Sequence, residues 1–370
     1  MGEDFSGADG LPDCARREVL RMERRSLVGL PRRHRSGVRK SGRGTPRLFS
    51  HLQMSMLALV MAVAGGVFPV AWAATPAAAQ AVVDTIPVGD NPLGVTVSPL
   101  GSRVYVANAG DDSVSVIDRS NKAVIATIPV GDSPAGVTVG GLGTRLYVSN
   151  QGSDSVSVIS TISNTVIGTI PVGDTPRGVA VGGLGTRLYV VNAGSDTVSV
   201  INTLTNAVIT TVPVGDTPSG AALSRTGTRL YVSNATSDTV SVINTLTNTV
   251  VATIPVGDNP LGVSMDRDGT RLYVGNLGNS VSVISTVTNS VVATIPASDG
   301  PGAVAASPTK DRLYVLHAGS DTLTVINTDT YAVVRTVPVG DGPGGVTVSP
   351  DGKSVYATGQ NDDTVTVIAT

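Results

Sequence analysis

The chain repeats itself every 42 residues. The proline of the segment IPVGD falls at Pro87, Pro129, Pro171, Pro213, Pro255, Pro296 and Pro338, and only one step, of 41, departs from the period. The lost residue belongs to the loop Asn276–Asn279. A fixed period of this length requires units that bury a shared core against their neighbours, either stacked or arranged radially. One unit, Ile170 to Thr211, reads IPVGDTPRGVAVGGLGTRLYVVNAGSDTVSVINTLTNAVITT.

That unit holds four β-like runs: Gly178–Val181, Arg187–Val191, Thr197–Ile201 and Ala207–Val212. Val, Ile, Thr and Tyr dominate them and fit a pleated surface. Gly, Pro, Asn, Asp and Ser punctuate them, and no 3.6-residue period appears. Several runs are apolar on both faces, so the sheets must be covered on both sides. Four strands per unit of this length, packed face to face about an axis, predict a β-propeller.

The segments RLYV-N, SDTVSVINT-TN and IPVGD-P-GV-V resemble the YVTN-type β-propeller repeat family of surface-layer and other extracytoplasmic proteins. The resemblance covers roughly residues 81–370. It implies that Gly178–Val181 is the innermost strand of a blade and Ala207–Val212 the outermost, and it implies no single activity. Ala81–Val88 matches an outermost strand with nothing before it, and Gly344–Ile368 matches three inner strands with nothing after them. The expected fold is therefore all-β: a seven-bladed propeller with four antiparallel strands per blade, its ring closed by the N-terminal strand joining the last blade. Closure removes open sheet edges.

Charge divides the chain. Residues 1–80 carry 12 Lys/Arg and 6 Asp/Glu, whereas residues 81–370 carry 14 Lys/Arg and 22 acids, all Asp, for a net charge of −8. Asp favours turns and Glu favours helices, which agrees with an all-β reading. An acidic repeat region without a basic stripe, and without Phe or Trp, argues against nucleic-acid binding. The only cysteine, Cys14, lies outside the repeats, so these have neither a disulfide nor a thiolate. Residues 1–55 read as a disordered basic segment. Residues 56–80 read as the hydrophobic core and cleavage region of a signal peptide, with Met56–Ala74 apolar and Ala71-Trp72-Ala73 as the small-residue site. An uncleaved membrane anchor is the alternative, and the long basic lead suggests a translation start downstream of Met1. An extracytoplasmic location follows, with the membrane involved only through this segment if it is uncleaved.

Five residue sets bear on chemistry. Tyr105, Tyr147, Tyr189, Tyr231, Tyr273, Tyr314 and Tyr356 recur at one strand position, where packing between blades, with each hydroxyl hydrogen-bonded at the rim, outweighs a stacking platform. Arg103, Arg145, Arg187, Arg229, Arg271 and Arg312 precede them by two residues; Ser354, beside Lys353, breaks the series, and a blade-to-blade or turn role is expected. At the other strand ends stand Asp90, Asp132, Asp174, Asp216, Asp258, Asp299 and Asp341, and then Asp112, Asp154, Asp196, Asp238, Asp321 and Asp363, with Asn279 in the seventh place. Asp at such bends makes Asx turns. This acidic face is nonetheless the best candidate patch for a cation such as calcium, a glycan or a basic partner. His317, the only histidine of the repeats, replaces an asparagine seen in five other units. No second His or Cys completes a metal or haem site around it, and no G-x-S-x-G is present.

Near-identical blades, such as VGGLGTRLYV at 139–148 and 181–190, are poor material for an asymmetric active site. The expected function is a non-catalytic extracytoplasmic binding or cell-surface scaffold module for a protein or cell-envelope polymer. The alternatives are a cofactor-linked or lactonase-like propeller enzyme and a DNA-binding propeller. No catalytic residue or resident cofactor is assigned. Departures at Asn276–Asn279, His317 and Gly359–Asn361 fall in one loop of three consecutive blades, where a differentiated surface is expected.

Overall fold

The computed structural model describes residues 81–182 and 185–370. The expected disordered segment and signal region lie outside the described residues. Twenty-eight strands form seven four-stranded sheets. In the third repeat the strands are Pro176–Val181, Arg187–Asn192, Thr197–Asn202 and Ala207–Pro213, each within two residues of the run read from sequence. All pairings are antiparallel. We number the blades 1 to 7 from the sheet that opens at Pro92.

The ring closes as expected. Val82–Pro87 pairs with Thr364–Ala369, with Ile86 opposite Val365 and Pro87 opposite Thr364. The Val88 N–H donates to Asp363 O at 2.9 Å, and the Ala369 N–H donates to Ala81 O at 3.0 Å. Each innermost strand packs beside those of both neighbouring blades, and blade 7 packs back on blade 1.

The cores lie between blades. In one of them Tyr189, Val191, Val198 and Val200 of blade 3 meet Leu230, Val232 and Ile243 of blade 4. Burying side chains of this size contributes about 1.5–3 kcal/mol each, and the pattern recurs around the ring. The seven tyrosines are all buried here. Burial pushes the Tyr273 hydroxyl up to about 12, although the charge of Arg271 pulls the other way. The rim hydrogen bond expected of every tyrosine is not made throughout, because the hydroxyls of Tyr231, Tyr273 and Tyr314 end buried without a partner. Apolar packing holds these rings in place.

Glycine sets how closely the innermost strands approach. A Cβ on Gly178 would stand 2.5 Å from Ser219 O of the next blade, and one on Gly262 would stand 2.7 Å from Gly302 O. Gly94, Gly136, Gly220 and Gly345 occupy the same position and also abut a carbonyl of the following blade.

The arginine series fastens one blade to the next. Arg103 donates to Thr161 O at 2.7 Å, Arg187 to Thr245 O at 2.9 Å and Arg271 to Thr328 O at 2.8 Å, and Arg145 donates to Thr203 O. Arg229 reaches Asn289 Oδ1 at 3.0 Å. Arg312 instead turns to its own Asp311 O, and Lys310 Nζ bridges to Thr370 O at 2.8 Å. At the closing joint the partners are exchanged. Ser354 stands where arginine is expected, and Arg119 stands where the other blades carry threonine. Arg119 pairs with Asp351 at 2.9 Å and donates to Ser354 Oγ at 3.3 Å.

Hydrogen bonding from Arg119 is the main cause holding the Asp351 carboxyl well below the usual carboxylate range. A depressed carboxylate contributes stability that is present above its unfolded pKa of about 4 and is lost as the pH falls toward its folded value. The pair is exposed, so its contribution is at most about 1 kcal/mol. Asp351→Asn is expected to lower the melting temperature slightly at neutral pH. The gap from wild type should narrow below about pH 4, as read by melts across an acid pH series. A gap that stays constant into acid would remove the carboxylate from the joint.

Candidate functional site

The two ends of the strands differ. One end carries the arginine joints. At the other, the second aspartate set closes the blades. The carboxylate of Asp112 accepts the Ser133 N–H at 2.7 Å, that of Asp196 the Thr217 N–H at 2.7 Å, and that of Asp363 the Asn91 N–H at 2.9 Å across the ring closure. Asp154, Asp238 and Asp321 make the same bond to Thr175, Asn259 and Gly342, and Asn279 Oδ1 makes it to Gly300. These six aspartates sit at φ between 47° and 54° and Asn279 at 67°, the left-handed region that Asp and Asn tolerate. Each thus clasps the loop that enters the next innermost strand.

The first aspartate set serves through its backbone. Carbonyls of Asp90, Asp132, Asp174, Asp258 and Asp299 accept the N–H of Gly110, Gly152, Gly194, Gly278 and Gly319; those of Asp216 and Asp341 accept from Thr236 and Asn361. The side chains of all seven are exposed. No group of three or more His, Cys, Asp or Glu side chains with metal-binding geometry occurs among the described residues.

Asn108 Nδ2 donates to Ser113 Oγ and Ser115 Oγ at 2.9 Å, and Asn150, Asn192, Asn234 and Asn276 repeat the arrangement. His317 takes this place in blade 6. It is 5 % exposed, with Nδ1 2.8 Å from Ser298 O and Nε2 buried without a partner. A general base must reach the proton it removes, and this ring is enclosed.

One position that varies between blades lies at the axis. In every innermost strand the ladder skips residues after the proline: Pro176 pairs with Asn192 and Val179 with Val190, which leaves Arg177 and Gly178 in a bulge. Bulges re-aim side chains and are frequent beside sites. The first bulge residue is Leu93, Ala135, Arg177, Ser219, Leu261, Gly302 and Gly344 from blade 1 to blade 7. None of the tyrosine, arginine or aspartate positions is so varied. Ser219, Leu261, Gly302 and Gly344 line a cavity of about 360 Å³, together with Leu277, Leu316, Ala318 and Gln360. Leu277, Ala318 and Gln360 belong to the loops in which the sequence departs from the repeat. Gly302 and Gly344 make room for their neighbours: a Cβ on Gly302 would meet Leu277 at 3.5 Å and Leu261 at 3.7 Å, and one on Gly344 would meet Gln360 Nε2 at 2.8 Å. The result is an apolar wall of leucines beside one amide, open at the aspartate end. Sequence reasoning singled out the loops and passed over the bulge, although the residue after each blade-opening proline changes through Leu, Ala, Arg, Ser and Gly.

A second depression, of about 170 Å³, lies between the turns of blades 5 and 6 at the arginine end. Within it Arg267 stands 3.1 Å from Asp311.

Comparison with known proteins gives the fold first. The family model described as Lactonase, 7-bladed beta-propeller, matches residues 122–206 and 277–370, a little under half of the chain. Among solved structures the chain is similar to one titled Kuenenia stuttgartiensis Hydrazine Synthase, with 26% identity and a TM-score of 0.71 over 76% of this chain and 96% of that one. In all, 1783 solved chains match, so the architecture is too widely shared to carry an activity with it. No curated protein matches the chain.

Proposed function

We propose that this chain is a non-catalytic, extracytoplasmic binding propeller whose ligand enters the axial cavity of blades 4 to 7. The observation that carries this reading is where the blades differ. The tyrosine, arginine and clasp-aspartate rings are engaged in joining blades. The bulge and loop residues around Leu261, Leu277 and Gln360 are free to differ, and they do. Leucine walls suit an apolar group, and the Gln360 amide offers N–H donors and a carbonyl acceptor to fix its orientation. At about 360 Å³ the cavity lies at the small end of the range of ligand pockets and accommodates a side chain or a small substituent of a protein or cell-envelope polymer.

The cavity lining holds no carboxylate, imidazole, hydroxyl–imidazole pair or metal-ligand set, which favours binding over turnover. Calcium takes six to eight oxygen ligands, and each acidic loop offers one or two carboxylates outside the clasp, so we propose no resident metal there. The net charge of −8 over residues 81–370 sets the reading against nucleic acid.

The second reading, a lactonase-like enzyme, is favoured by the family match alone. Purified full-length chain is expected to hydrolyse none of a panel of five- and six-membered sugar and acyl lactones, and to show no haem or quinone absorbance. Lactone turnover that is lost in His317→Ala, with the melt unchanged, would reverse the assignment.

A further inference from the structure

We propose that the partner of the axial cavity is a basic polypeptide segment, which seats one aliphatic side chain among the leucines and lays its flanking lysines and arginines against the aspartates around the mouth. The inference rests on the reading that this cavity binds a ligand, and it adds the charge and the class of that ligand.

Charge is divided between the two ends of the ring. The two aspartate sets, with Asp111 and Asp362, place 15 Asp in the loops at the mouth, where Arg177 is the one Lys or Arg. The rest of residues 81–370 holds 7 Asp and 13 Lys or Arg. The mouth end thus carries a net charge of −14 and the remainder +6. A rim of one sign around a low-dielectric cleft focuses its field into the cleft and raises the local concentration of the opposite charge. The excess of opposite sign elsewhere on the ring turns a cationic partner toward the mouth. Arg177 belongs to blade 3, so the negative field is least offset over blades 4 to 7, where the cavity lies.

The clasp accounts for the carboxylates of the second set. It does not account for the first, whose backbone carbonyls make a bond that any residue can make. Asp299 accepts from Ser298 Oγ at 3.0 Å and Asp341 from Asn361 Nδ2 at 3.2 Å, but none of the seven carboxylates clasps the entry to an innermost strand. All seven are nonetheless aspartate, and all are exposed. Seven like charges held around one mouth repel one another, a cost that a cationic partner removes.

The cavity sets the class of the partner. Its lining, with Leu261, Leu277 and Leu316 and without a carboxylate, fits an aliphatic side chain, and the Gln360 amide pairs with the donors and acceptors of a peptide group. The loops at this end present no exposed aromatic ring on which a sugar could stack, since their one ring, His317, is enclosed. A polymer of amines alone would satisfy the aspartates and leave the leucines uncovered. A basic polypeptide supplies both parts, an apolar anchor in a pocket and charges at its rim.

The test titrates the full chain, by fluorescence anisotropy at low salt, against capped and dye-labelled peptides: a leucine flanked on each side by three lysines, the same peptide with serine for the leucine, and the same peptide with glutamates for the lysines. The first is expected to bind, the second to bind more weakly and the third not at all, and binding should weaken as salt is raised. Replacing Asp216, Asp258, Asp299 and Asp341 together by asparagine should lower the affinity about tenfold without moving the melt. Replacing Leu277 and Gln360 by alanine should abolish the preference for leucine over serine and keep the salt dependence. A glutamate peptide that binds as well as the lysine peptide would overturn the cationic partner and leave the cavity reading in place. Lysine peptides that bind without preference for leucine would overturn both, because the acidic face alone would then hold them. No binding by any of the three would overturn the proposal, as would tighter binding of a glucosamine oligomer, which would identify a polysaccharide as the occupant.

Discussion

A chain lacking residues 81–88 is expected to melt about 10 °C lower than the intact chain and to aggregate on heating. The segment supplies the outermost strand of blade 7, and its Ile86 is buried with Val104, Val106, Ile117, Tyr356, Val365 and Val367. Loss of a buried isoleucine from such a core costs about 2–5 kcal/mol. The deletion also leaves the strand Thr364–Ala369 with an open edge of unpaired N–H and C=O groups, which templates association with other chains. For a domain of this size each kcal/mol moves the melt by about 2–4 °C. Calorimetry with light scattering checks both effects. An unchanged melt would mean that the strand rests on the ring without closing it.

The second large effect separates two glycines by their surroundings. Gly136→Ala is expected to destabilise the ring by about 2–3 kcal/mol, the range seen when a packed core is overfilled. A methyl group there would overlap Arg177 O, a backbone atom held by the adjoining blade. Gly168→Ala is expected to be neutral or to stabilise by about 0.4–1 kcal/mol, through the reduced freedom of the unfolded chain. Gly168 lies on an outermost strand, and its added Cβ would meet the end of the Asn206 side chain at 3.2 Å and Val158 Cβ at 4.0 Å, with no backbone atom in the way. The corresponding residues of other blades are already Ala126, Thr210, Ala252 and Ala293. Denaturant melts of the two variants should move in opposite directions, or one should move alone. Equal losses would point to a general cost of substituting glycine and would remove the close approach of innermost strands as a determinant of the ring.

Much of the fold was legible because repetition makes local signals redundant. The prolines give the register, the Val- and Ile-rich runs give the strands, and the unmatched pieces Ala81–Val88 and Gly344–Ile368 give the closure. Joints between blades were less legible, because they link residues about 60 positions apart. The arginine series suggested a joint, but nothing local told that Arg119 replaces the arginine missing at Ser354, since the two lie on opposite sides of the closing seam. The site was the least legible part. The bulge that carries Leu93, Arg177 and Leu261 is a property of the ladder, visible only once Pro176 is seen opposite Asn192 and Val179 opposite Val190. Strict repetition also drew the eye to the aspartates, whose constancy reflects equivalent clasps in every blade, and away from a bulge position where neighbours disagree.

The most direct test of the axial site is a crystallographic soak of the full chain with a mixed set of small apolar and amide-bearing fragments. Density is expected to collect in the axial cavity against Leu261, Leu277 and Gln360, and to disappear there when Leu277 and Gln360 are both replaced by the alanine found at Ala109 and Ala193. Fragments gathered instead on the exposed carboxylates of Asp90, Asp132 and their counterparts, with the axial cavity empty, would contradict binding at the axis and return the acidic face as the functional surface.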